Sequence, residues 1–233
     1  MILSLSQLRR NSIKTNTWFD PSTICTDRFM GYTTTLMPLL EELCALAEDI
    51  RNPVTTQAIA YTLEDTVSIS QPSLQDMAIA SLRARILSWR WAFGNGDSIA
   101  VRSSGRLIAH AYAYRAAALL MLHRVMHPAG SSMESDQEAF GMACEIMAYL
   151  KGPPEDLGLS TWPALIASCE FDTEEDREIA VGIFRDIYSV RKTGTSLQTM
   201  KFVTNRVWKA RDEGNDWDWM RLSQLYPGEC IPI

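Results

Sequence analysis

Residues 160–177 read STWPALIASCEFDTEEDR, and the spacing predicts two helices meeting at a corner. Ser160 or Thr161 caps the first helix. Trp162 and Pro163 stand in its opening turn, where proline's missing N–H costs no intrahelical bond. Ala164, Leu165, Ile166, Ala167 and Cys169 leave almost no polar face, so this helix is expected to be buried and to stop between Glu170 and Asp172. Thr173 with Asp176 three residues later is a variant capping box, and the run Glu174, Glu175, Asp176 suits the positive end of a helix dipole. Glu170 and Arg177 are placed to pair across the corner and hold its angle. Capping and burial account for each of these side chains without chemistry.

Downstream, Ile179, Ala180, Ile183, Phe184 and Ile187 carry the second helix to a stop at Gly194. Leu197, Met200, Val203, Val207 and Trp208 define another. Gly214 and Asp216 separate it from a short last helix with Trp217, Trp219, Met220 and Leu222, and Ile231-Pro232-Ile233 is expected to dock back on the bundle. Upstream, Ser135 with Glu138 caps a helix burying Phe140, Ala143, Cys144, Met147 and Leu150, closed by Lys151 to Pro154.

Before it lies a long helix, residues 98–127, apolar on nearly every side from Ala109 to Met126. Its many alanines let neighbours come close, so it is predicted to be the central core helix. Leu36, Leu39, Leu40, Leu43, Ala47 and Ile50 mark an earlier helix, 54–69 a less regular one, and Ser73 with Asp76 the cap of a third. That third helix carries a stripe of Leu74, Met77, Ala78, Leu82, Ile86 and Trp89 and runs on to Trp91 and Phe93 before Gly94-Asn95-Gly96. Residues 1–30 show no sustained period and form an irregular lead-in to a domain at 31–233. The expected fold is all-α, a single irregular bundle of roughly seven to nine helices around the central apolar helix, with no sheet.

The totals agree with one well-filled domain: 233 residues, 46% of them hydrophobic. A net charge of -6, from 22 basic and 28 acidic residues, lacks the clustered cations that phosphate needs, so no direct nucleic-acid binding is expected. Cys25, Cys44, Cys144, Cys169 and Cys230 are scattered and odd in number, which fits reduced thiols in the nucleus or cytoplasm. The longest apolar run, Ala116 to Leu122, falls far short of the roughly 20 residues that span a bilayer. Met1 to Arg10 does not read as a secretory signal, so a soluble intracellular chain is expected. His123 and His127 share a helical face as two metal ligands would, yet no Glu follows the first, and a helix C-terminus favours histidine for its dipole alone. No phosphate loop, nucleophile elbow or dinucleotide fingerprint occurs. The expectation is no catalytic residue, no metal and no cofactor.

The corner string, with Trp162-Pro163, an apolar Ala run, Cys169-Glu170 and Asp176-Arg177, resembles the fungal-specific transcription factor domain, the helical regulatory region of fungal zinc binuclear-cluster regulators. GYTTTLMPLLEELCALAEDI (31–50), AYAYRAAALLMLH (111–123) and the Trp-rich 207–219 stand in the order that family would place them. The resemblance implies a regulatory domain in the nucleus or cytoplasm. It would act through proteins of the transcription machinery, self-association or a small-molecule effector. It also implies that Trp162, Pro163, Cys169, Glu170, Asp176 and Arg177 are a structural motif holding the C-terminal helices in register. The family's DNA-binding module is a cysteine-rich zinc cluster, and this sequence has no Cys-x-x-Cys pair, so DNA binding is not carried over. Two other readings stand beside this one: a stand-alone helical protein binding a small apolar ligand, with Trp89, Trp91 and the methionines lining the pocket, and an enzyme that needs no cofactor.

Overall fold

The longest described helix, Val101–Met126, is the post around which the other described elements are arranged, in a computed structural model that describes residues 33–51, 73–91 and 101–229. In chain order a 3-10 turn, Thr34–Leu36, leads into α1 (Met37–Arg51), followed by α2 (Leu74–Ser88), α3 (Val101–Met126), α4 (Met133–Tyr149) and a second 3-10 turn, Pro154–Asp156. The corner helices are α5 (Thr161–Ser168) and α6 (Glu174–Arg191). Helix α7 (Gly194–Phe202) runs on through a π-helical segment, Val203–Trp208, and a last turn, Lys209–Asp212; α8 is Trp219–Leu225. Among the described residues every regular element is helical, and the fold is an all-α bundle. The predicted helix at 54–69, Phe93 and the Gly94–Gly96 stop, the lead-in, and Ile231–Ile233 lie outside the described residues.

Helix α3 is central because its side chains are small on several faces at once. Ala111, Ala113, Ala117 and Ala118 are fully buried, and α1, α2, α4 and α5 all pack against it. Helix α5 is buried along its whole length, as its composition requires, and lies against α3, α4, α6 and α7. Leu36, Leu39, Leu40, Leu43 and Ala47 turn inward from the first helix. The capping box of α2 forms as predicted: Asp76 N–H donates to Ser73 Oγ at 3.1 Å, and Ser73 N–H to the Asp76 carboxylate at 3.1 Å.

Several local expectations are corrected. Helix α4 starts one turn early, capped by Ser132, whose Oγ accepts the Ser135 N–H at 3.1 Å. Its buried face is therefore Ala139, Ala143, Ile146 and Met147; Cys144 is exposed and Phe140 only half-buried. In α2 the stripe is inside only from Leu82 through Ile86 to Trp89, while Leu74 and Met77 face outward. Ile179 of α6 is likewise exposed. Ser160 holds the N-cap position of α5, but no side-chain capping bond forms there. Helix α6 ends at Lys192, in the left-handed region at φ 43°, and Gly194 opens α7 rather than closing α6.

The loop between α4 and α5 is tied to α3 by polar contacts. Tyr114 Oη donates to the Leu159 carbonyl at 3.1 Å, His110 Nε2 lies 3.2 Å from the same oxygen, and Arg106 pairs with Asp156 at 2.7 Å. The Tyr114 ring stands between His110 and Trp162, with centroids 4.6 and 5.2 Å away. Burial pulls the His110 pKa down from 6.5 to about 4, against the Leu159 carbonyl, which favours the charged ring.

Two outcomes follow from these positions. A left-handed residue with a Cβ is strained, so Lys192→Gly should raise stability by about 0.5–1 kcal/mol in thermal or urea unfolding, and Lys192→Ala should not. His110 stays neutral when folded but protonates near pH 6.5 when unfolded. Stability is therefore lost as pH falls from 6.5 toward about 4, by roughly 3 kcal/mol at most. Urea unfolding across that range should show a shallower pH dependence for His110→Gln than for the wild type.

Candidate functional site

The corner between α5 and α6 leaves backbone carbonyls that no helix can satisfy, and the side chains of α6 and α7 supply the donors. Trp208 Nε1 donates to the Ser168 carbonyl at 2.8 Å, Arg211 Nη1 to the Glu170 carbonyl at 2.8 Å, and Arg177 Nε to the Phe171 carbonyl at 3.3 Å. Within α5, Ser168 Oγ donates back to the Ala164 carbonyl at 2.6 Å. Arg177 then lies over the Trp208 ring, 5.2 Å from its centroid, and forks onto Asp212 at 2.8 and 2.7 Å. Arg211 lies over Trp217 at 4.2 Å and reaches Asp172 at 3.3 Å. Trp208 and Arg211 come from the π-helical segment and the turn after it, so the widened segment sets which side chains of α7 face the corner.

At the centre sits Arg124, fully buried in the last turn of α3. Its Nε donates to Glu170 Oε1 at 3.0 Å and its Nη2 to Glu170 Oε2, a two-pronged pair with a carboxylate that is itself 1% exposed. Its Nη1 donates to Asp136 Oδ1 at 2.7 Å and to the His127 carbonyl at 3.4 Å, and the Trp217 ring lies 5.3 Å away. Asp136 also accepts the Gly130 N–H at 3.2 Å. Burial works against the Arg124 charge, but Glu170 and Asp136 outweigh it and hold the guanidinium above its ordinary range. Burial pushes the Glu170 carboxyl upward, opposed by Arg124 and Arg211.

The predicted Glu170–Arg177 pair is therefore not formed. Glu170 turns into the bundle, where Arg124 meets it from 46 residues upstream, and Arg177 turns outward to Asp212. Of the other motif residues, Trp162, Pro163 and Cys169 are buried, and Asp176 reciprocates the Thr173 cap, with Thr173 Oγ1 donating to it at 2.6 Å. These residues form no shared cleft; they shape the corner and its packing.

A partly open cavity of about 200 Å³ lies between α2, α3 and α4, lined by Arg83, Leu119, Leu122, His123, Met126, His127, Glu138 and Met142. His123 Nε2 stands 3.1 Å from the Ser135 carbonyl and 3.0 Å from Ser135 Oγ. A carbonyl only accepts, so Nε2 carries the proton and Nδ1 is left as an acceptor, 3.9 Å from Glu138 Oε1. Burial lowers the His123 pKa and keeps the ring neutral, although Ser135 and Glu138 pull the other way. The His127 ring is tilted against it, centroids 5.0 Å apart. Among the described residues no group of three His, Cys, Asp or Glu is arranged to hold a metal ion.

The expected ligand pocket around Trp89 and Trp91 borders residues outside the described ones, since 92–100 follow Trp91 directly. Trp89 is buried, its indole N–H bound to Thr35 Oγ1 at 3.0 Å, and neither tryptophan lines this cavity, whereas Met126 and Met142 do. Sequence reading passed over Arg124 and Arg83. A charged side chain inside an apolar stretch was the available signal for the first, one of two arginines between Ala109 and Met126. Nothing in the spacing marks the second.

Removing one partner of a desolvated pair strands the other charge. Arg124→Met should cost about 3–5 kcal/mol in urea unfolding, and the double variant Arg124→Met/Glu170→Leu should recover much of that loss. A double-mutant cycle should give strong coupling for Arg124 with Glu170 and coupling near zero for Glu170 with Arg177.

No described helix is long and apolar enough to cross a membrane. A family model described as the fungal specific transcription factor domain matches residues 3–226. No curated protein and no solved structure matches the chain significantly.

Proposed function

Because this chain belongs to the fungal specific transcription factor domain family, we propose that it is the regulatory part of a fungal transcription regulator. It works in the nucleus and responds to an effector or a protein partner without holding DNA itself. The family match over nearly the whole chain carries this reading. The net charge of -6 supports the second half of it, since a phosphate backbone needs a cationic face.

The placement of the cavity adds a physical route. His123, Met126 and His127 line the cavity, and Arg124, between them on the same turn of α3, keys the corner and the C-terminal helices. Glu138 stands one half-turn from Asp136, which shares that arginine. Anything that moves the end of α3 or the start of α4 acts on both. This is the arrangement a sensing domain needs: an opening on one side and a stiff polar joint on the other.

The reading is tested by fusing the chain to a heterologous DNA-binding module upstream of a reporter. The expected result is output several-fold away from that of the module alone, in either direction, with the purified unfused chain leaving duplex DNA unretarded. Output equal to the module alone, together with a pull-down recovering neither a transcription protein nor a second copy, would contradict it.

A further inference from the structure

We propose that the cavity between α2, α3 and α4 binds a small zwitterion with an apolar body, an α-amino acid of leucine or phenylalanine size. The proposal deepens the regulatory reading by naming an effector class, and rests on that reading for its purpose.

The walls and the polar groups point the same way. Leu119, Leu122, Met126 and Met142 form an apolar surface, and methionine adapts to the shape it meets. A volume of about 200 Å³ is below the roughly 300 Å³ at which drug-sized pockets begin, so it suits one small molecule. On one side, His123 Nδ1 and Glu138 Oε1 are two acceptors 3.9 Å apart. Two acceptors cannot bond each other, and this spacing places an ammonium nitrogen about 2.8 Å from each. The Ser135 carbonyl holds the other ring nitrogen protonated, which keeps Nδ1 free to accept. Glu138 has no other partner among the described residues.

Arg83 lines the same cavity and makes no hydrogen bond or ion pair among the described residues, while the nearby Arg124 is fully engaged by Glu170 and Asp136. A guanidinium of this kind pairs readily with a carboxylate. A simple amine would face Arg83 uncompensated, and a simple carboxylic acid would face Glu138. A molecule that carries both charges on one carbon offers a partner to each of these lining groups, and its side chain covers the leucines and methionines.

The test is calorimetric titration of the purified full chain with L-leucine and L-phenylalanine. The analogues 4-methylpentanoate, 3-phenylpropanoate, 3-methylbutylamine and 2-phenylethylamine are run in parallel. At least one of the two amino acids is expected to bind, and its deaminated and decarboxylated analogues to bind about tenfold more weakly or worse. Glu138→Gln and Arg83→Ala change exposed side chains, leave the fold intact, and should each weaken the amino acid by a similar factor. No binding of either amino acid at millimolar concentration would overturn the proposal. So would unchanged affinity in both variants, or an amine or acid analogue binding as tightly as the amino acid. Failure here leaves the reporter result standing, and an inert reporter with intact binding would remove the regulatory reading instead.

Discussion

The two-pronged pair between Arg124 and Glu170 is the interaction on which the arrangement of this domain depends. Both side chains are about 1% exposed, so neither charge has water to fall back on. Such a pair adds little net stability compared with a well-packed apolar replacement, because desolvation offsets most of the attraction. What it fixes is position. One guanidinium spends its donors on Glu170 at the corner, on Asp136 at the start of α4 and on the carbonyl that ends α3, so three chain segments can meet in only one way. The C-terminal helices join the same point from the other side, through Trp208, Arg211 and the ring of Trp217.

Much of the fold was legible in the sequence because helix periodicity and caps are local. The central helix was readable from its alanines, α5 from its lack of any polar face, and the capping box at Ser73 and the N-cap at Thr173 from their spacing. The errors came where a second, equally local alternative existed. Ser132 and Ser135 both satisfy a capping pattern, and tertiary packing chose the first because it sends Ser135 inward to His123. Lys192 took the left-handed end that the spacing assigns to the glycine two residues later.

The candidate site was less legible, for a different reason. Its parts come from three helices, and no spacing rule connects Arg83 on α2 with His123 on α3 and Glu138 on α4. The same holds for the joint: within the corner string the only visible partner for Glu170 was Arg177, and the actual one lies in another helix. The motif residues Trp162, Pro163, Cys169 and Glu170 mark where the chain turns; the side chains that hold the turn are elsewhere. The cavity and the joint share the last turn of α3, with His123 and Met126 facing the first and Arg124 the second.

If the joint welds the corner and the C-terminal helices to the core, they should open together. Native-state hydrogen exchange on the wild-type chain measures this directly, by comparing the opening free energies of amides in 162–171, 180–188 and 203–212. The account predicts one shared value close to that of the α3 amides 113–122. Exchange of 203–212 through a separate, much cheaper opening while 162–171 stays protected would contradict it.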